Sequence, residues 1–183
     1  MKVIKIARLA LAGFMFALLA TSVAQAAPEF YVSITGAKQG PFNGEVTRKG
    51  FEGKSAGMTF DYNVVSPRDV ATGMATGKRI HKPIRIKKAW GPSSTQLFTA
   101  LTTNEALPSV VIDFFSVDPN GMQVLDHTVK LTNAFVASIA HNSETVGGAA
   151  SLPPTETVEF VFQQIELLNH RTKTVAIDSM LAP

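Results

Sequence analysis

Apolar residues in this chain recur at every second position, in short segments cut apart by glycine and proline. Side chains alternate across a strand with that period, so each such segment reads as a strand with one face in a core. Residues 30–36 place Phe30, Val32 and Ile34 on one side and Tyr31, Ser33 and Thr35 on the other. Residues 58–65 place Met58, Phe60, Tyr62 and Val64 together, and Pro67 ends the run. Residues 110–117 carry Val110, Ile112 and Phe114 on one face, and residues 127–139 carry Val129, Leu131, Phe135 and Ile139 at odd positions. At least five segments of this kind predict a mainly β domain, either two packed sheets or a partly closed barrel.

The segment with the most chemistry is residues 77–90. Ile80, Ile84 and Ile86 fall on even positions while His81, Arg85 and Lys87 fall on odd ones, so one side faces a core and the other is cationic. Pro83 lacks a ladder donor, which places the segment at an edge, a bulge or a strand start. Lys78, Arg79, Lys82, Arg85, Lys87 and Lys88 together could bind phosphate or nucleic acid. Charge runs are more often solvated strand faces, and apart from Trp90 the stretch lacks the aromatic residues on which bases stack.

Residues 37–57 hold five glycines and a proline and predict loops, with at most a short strand near residues 45–49. One helix is expected over residues 93–104, with Ser93 as cap, Gln96 closing a capping box, and Leu97, Phe98 and Leu101 on the buried face. Asp118-Pro119-Asn120-Gly121 carries turn chemistry and predicts a hairpin into a long returning strand. Residues 142–154 show no period and read as a flexible loop. Across residues 155–168 the apolar positions change from even (Val158, Phe160, Phe162) to odd (Ile165, Leu167), which predicts a bulge near residues 163–164. A last strand over residues 171–179 follows a turn at Asn169.

Residues 1–26 read as a cleaved secretory signal: Lys2, Lys5 and Arg8, an apolar centre, then Ala24-Gln25-Ala26 as a small-x-small site. Residues 27–183 are then a single exported domain. Removing the signal's three cations leaves fourteen Lys and Arg against fourteen Asp and Glu, so the basic balance of the whole chain is no argument for nucleic acid. The chain has no cysteine, which excludes disulfides, thiol catalysis and thiolate metal ligands.

The four histidines, at positions 81, 127, 141 and 170, have no close metal-ligand spacing, and no Gly-x-Ser-x-Gly elbow occurs. Asp113 and Asp126 across the hairpin form the best acid/base couple on offer, against the blander reading of Asp113 on a partly solvated strand face. The expectation is a protein that is not an enzyme and has no cofactor, no metal and no nucleic-acid partner.

Gly77-Lys78-Arg79-Ile80-His81-Lys82-Pro83 running into an Ile/Lys strand resembles the central motif of the haemolysin-coregulated protein (Hcp) family, the tube subunit of type VI secretion. Ser93-Ser94-Thr95-Gln96-Leu97-Phe98 is similar to the family's short helix, residues 110–115 with 129–139 to its long hairpin, and Pro154-Thr155-Glu156 to the start of its closing strand. The resemblance implies an Hcp-like β-barrel with one short helix. It implies a homo-hexameric ring, stacking of rings into a tube, and a secreted effector as cargo. A signal peptide departs from the family pattern, whose tube subunits assemble in the cytoplasm.

A ring needs head-to-tail contacts, and the expected interface residues are Lys78, Arg79, His81, Lys82 and Arg85, meeting carboxylates such as Glu156 and Glu159. The competing reading is an exported monomeric β-sandwich that binds a small ligand or glycan, for which Trp90, Tyr31 and Tyr62 are a poor aromatic supply.

Overall fold

A computed structural model describes residues 30–143, 145–146, 150–151 and 153–181. The expected signal, residues 1–26, lies outside them. In chain order the elements are β1 (Phe30–Gly36), β2 (Gly40–Pro41), β3 (Ser55–Asp61), β4 (Val64–Val65), β5 (Ile80–His81), β6 (Ile84–Ala89), α1 (Pro92–Thr102), β7 (Leu107–Val117) and β8 (Gln123–Asn142). After these come β9 (Thr145–Val146), β10 (Ala150–Ser151), β11 (Thr155–Val161), β12 (Gln164–Asn169) and β13 (Thr174–Ser179).

The main sheet runs β11-β6-β3-β1-β7-β8-β12-β13, and β11 also pairs with β8. That extra pairing closes six strands, β11, β6, β3, β1, β7 and β8, into a barrel, and leaves β12 and β13 as a hairpin attached outside it. Closure leaves the six barrel strands without a free edge, and β13 remains as the open edge of the sheet. Val32, Ile84, Ile86, Leu97, Leu107, Val110, Ile112, Leu131, Val158 and Phe160 fill the interior. Gly57 is required there: a Cβ would stand 1.8 Å from the Phe30 ring.

β8, twenty residues long, organises this architecture. Its first half pairs with β12, from His127↔Asn169 to Thr132↔Gln164, and its second half pairs with β11, from Phe135↔Val161 to Asn142↔Thr155. Between the halves Asn133 adopts φ +49, the left-handed region, and its Nδ2 donates to Gln163 Oε1 at 3.2 Å. The break expected near residues 163–164 therefore falls at 162–163, opposite a matching kink in β8. The odd-position reading of β8 holds through Val129 and Leu131, then shifts: Ala134 and Val136 are the buried residues beyond the kink.

Several other expectations are corrected. No strand forms at residues 45–49; Gly44, Val46 and Gly53 instead exchange backbone bonds within a loop. In β3 the register slips between Gly57 and Thr59, turning Met58 out to solvent. The loop expected over residues 142–154 contains the small antiparallel pair β9–β10. The helix starts at Pro92 with Gly91 as its cap: Gly91 N donates to Ser94 Oγ and Ser94 N to Gly91 O, both at 3.0 Å. Gln96 accepts instead from Asn43 N at 2.8 Å, and Ser93 is buried against Ser55 Oγ. Leu97 and Ala100 face the core while Phe98 is exposed.

Candidate subunit interface

Pro83 separates the 77–90 segment into β5 and β6, and the two parts have different fates. β6 lies inside the barrel between β3 and β11, with Ile84 and Ile86 fully buried. β5 pairs only with β4, in a small separate sheet, and Ile80 is half exposed.

On the outer face of β6 Arg85 meets a carboxylate of a neighbouring strand, whereas Lys87 stands opposite Thr59 and Thr157. Arg85 lies between Asp61 of β3 and Glu159 of β11 in the register, and its Nη2 stands 2.5 Å from Glu159 Oε1. The Glu159 carboxylate raises the Arg85 pKa. Arg85 is thus compensated within the subunit, so the face is less cationic than the sequence suggested. It stays accessible, with more than half of its side chain exposed.

Lys88 and Glu156 are a correction. Both belong to the buried faces of their strands, directly opposite in register, and neither side chain reaches solvent. Lys88 Nζ is 2.9 Å from Glu156 Oε1 and also donates to Ala89 O at 2.9 Å. Ser94 Oγ donates to Glu156 Oε1 at 2.8 Å, and His141 Nε2 lies 3.2 Å from Oε2. Glu156 is therefore a structural residue inside the subunit, out of reach of a neighbour. Through Ser94 it also places negative charge at the helix start, where α1 has no acidic residue of its own.

The remaining candidates sit on an arm, residues 62–82, that leaves the barrel between β3 and β6. Two strand pairs, Val64↔His81 and Val65↔Ile80, and a Lys82 N to Asn63 O bond at 2.9 Å form its stem. Arg79 reaches from the stem to β13, where its Nε and Nη2 donate to the two carboxylate oxygens of Asp178 and Nη2 also donates to Ser179 O. His81 Nε2 joins the same carboxylate at 3.0 Å, while its Nδ1 lies 2.6 Å from the Tyr62 hydroxyl. The Arg79 bonds, helped by His81, hold the Asp178 carboxyl below the usual range against partial burial. Burial and the Asp178 charge push the Tyr62 phenol up. Lys78 and Lys82 are exposed nearby.

The sequence pointed to Arg79 and His81 with Glu156 or Glu159 as partners; within the chain both bond Asp178 instead, ninety-nine positions from Arg79 on a weakly patterned strand. The suggested acid/base couple separates: Asp113 pairs with Lys54 at 2.9 Å and accepts from Thr128, whereas Asp126 pairs with Arg171 at 2.5 Å. Among the described residues no three His, Asp or Glu side chains gather as a metal site. Of the aromatics that a glycan site would use, Tyr31 is buried against Phe51 and Phe115 and Tyr62 is bonded to His81.

The sequence model of the family described as type VI secretion system effector, Hcp, matches residues 31–168. The "Major exported protein" of Pseudomonas aeruginosa is 31% identical over 165 residues, covering 84% of this chain and 95% of that protein. A crystal structure of an Hcp protein superposes with a TM-score of 0.77 at 22% identity, over 84% of this chain and 99% of that one. The secreted protein Hcp3 from Pseudomonas aeruginosa gives a TM-score of 0.71 at 25% identity, over 85% and 100%. The family match runs from β1 into β12, most of the described chain, and the protein belongs to the Hcp family of type VI secretion proteins.

Proposed function

We propose that the protein is an exported, non-catalytic structural subunit that assembles into a homo-hexameric ring, with rings able to stack into a tube and carry secreted effector cargo. The observation that carries this reading is the extent of the family match, residues 31–168, in a family whose members form hexameric rings stacking into tubes. The reading is supported by the 31% identity to a protein named for its export and by the signal-like organisation of residues 1–26.

Head-to-tail contacts in such a ring use two different patches of one subunit. Lys78, Arg79, His81, Lys82, Arg85 and Glu159 make up one patch in this proposal, because all lie on the arm or on the outer row of the barrel. Glu156 is withdrawn from it by its burial. The test is light scattering coupled to size exclusion on the exported protein. A hexamer that falls to folded monomers in the double variant Arg79→Glu/Arg85→Glu supports the reading. A wild-type monomer at high concentration, or a hexamer indifferent to both reversals, overturns it.

A further inference from the structure

Two Asn-Gly pairs occur in the chain, Asn43-Gly44 and Asn120-Gly121. In such a pair the glycine has no Cβ to shield its backbone nitrogen, so the side-chain amide of the asparagine can close onto that nitrogen. Both asparagines are exposed, and exposure therefore does not separate them. Their backbones do.

Asn43-Gly44 is held shut. Asn43 N donates to Gln96 Oε1 and Gly44 N to Gly53 O, both at 2.8 Å. The second bond belongs to a set with Gly53 N to Val46 O at 2.9 Å and Val46 N to Lys54 O at 3.0 Å. A Cβ on Gly44 would stand 2.0 Å from the Lys54 carbonyl carbon, so the loop has no room to turn there. Freeing Gly44 N requires these bonds to open together.

Asn120-Gly121 lies at the tip of the hairpin between β7 and β8, and it is loose. Gly121 has φ +79, and a Cβ on it would meet nothing within 4 Å. Gly121 N donates to Asp118 O at 2.9 Å, a bond within one surface turn that opens without disturbing a neighbouring strand. The Asn120 side chain is weakly tied, with Nδ2 standing 3.5 Å from Asp118 Oδ2, the outer limit of a hydrogen bond. Val117 and Met122, on either side of the tip, are 60% and 65% exposed, so core packing does not restrain it.

We propose that Asn120-Gly121 is a self-modifying site at which the folded protein deamidates, while Asn43-Gly44 is protected by its loop. Gly121 N gives up its proton to solvent base and bonds to Asn120 Cγ; the Cγ–Nδ2 bond breaks and the nitrogen leaves as ammonia. Water then opens the cyclic imide at one of its two carbonyl carbons, leaving aspartate or isoaspartate at position 120. Either product sets a carboxylate beside Asp118 where an amide donor stood, which turns a weak attraction into repulsion. Isoaspartate also adds a carbon to the backbone between Asn120 N and Met122 N, the two donors that Asp118 Oδ1 now accepts at 2.9 and 2.8 Å. The tip loosens and the chain gains one negative charge, while the barrel keeps its pairing. This proposal does not depend on the ring reading.

The test is to age the protein, folded in mildly alkaline buffer and unfolded in guanidinium, and to map peptides by mass spectrometry, reading the gain of about one dalton at each asparagine. In the folded protein Asn120 should convert about tenfold faster than Asn43 or more, and the difference should collapse in guanidinium, where both pairs are unconstrained. Asn120→Gln should abolish the change in the folded protein. Asn120→Asp, which makes one product directly, should speed hydrogen exchange over residues 116–123 and leave the thermal midpoint unchanged. Equal rates for the two pairs in the folded protein, or an Asn120 that converts in guanidinium but not when folded, overturn the proposal and leave the ring reading untouched.

Discussion

The two halves of β8 support opposite kinds of structure. β8 pairs with β7 in the barrel before Asn133, but its other edge changes partner there: beyond Asn133 it meets β11 and closes the barrel, and the ion pair at that end, Lys88 with Glu156, is sealed from water and bonded on several sides. Before Asn133 it carries the β12–β13 hairpin, whose ion pair, Asp178 with Arg79, is open to solvent and ties down an arm. A buried charge that loses its partner is left uncompensated in a poor solvent, whereas an exposed one is taken up by water. The barrel pair therefore cannot lose one partner without a large cost, whereas the arm pair can open with little effect on the barrel.

The sharpest way to break this comparison is Glu156→Ala, which strands the Lys88 ammonium. Urea denaturation should show a loss of about 3–5 kcal/mol, the usual cost of breaking a buried pair. Lys88→Met combined with Glu156→Leu should regain most of it, since well-packed apolar replacements of a buried pair are commonly tolerated. A loss no larger than that of an exposed pair would mean that water reaches the site.

A smaller effect is expected at the divide between the halves. Asn133 holds φ +49, so Asn133→Ala should cost about 1–2 kcal/mol through left-handed strain, with Asn133→Gly near neutral. Equal effects of Ala and Gly would assign the role of Asn133 to its bond with Gln163 instead of its backbone.

The smallest change in global stability is expected for Asp178→Asn, together with the largest local one. Hydrogen exchange over residues 62–81 should accelerate while the barrel strands keep their protection. Acid gives the sign. The Asp178 carboxyl is depressed in the folded protein, so its stabilisation is present above the ordinary carboxylate range near pH ~4 and is lost as pH falls through its lower folded value. Arm protection in the wild type should accordingly hold from neutral pH down to about 4 and fail below it, and should show no such step in Asp178→Asn. Protection that is equal in the two proteins at neutral pH would show that the arm is held by something else.

Much of the barrel was legible because alternation reports burial locally. Val110 and Ile112, or Val158 and Phe160, need only a strand and an inside to be placed. The same rule carried more than was taken from it. Lys88 continues the series Ile84, Ile86, and Glu156 precedes Val158 and Phe160 on the same face, so two opposite charges at inward positions already marked a buried pair. The helix was legible in place but not in detail. Its cap and its buried face depend on Glu156, Ser55 and Asn43, which arrive from distant segments.

By itself the sequence determined a β domain, its turns and the single helix, since each follows from periods of two or about four residues and from glycine and proline geometry within a short window. Tertiary structure alone decided three things: that β11 returns to β8 and closes the barrel, that the chain changes partners at Asn133, and that Arg79 and His81 end on Asp178. These depend on which strands lie side by side. Pairing of distant strands is selected by the fit of the whole core, and a local pattern holds no record of it.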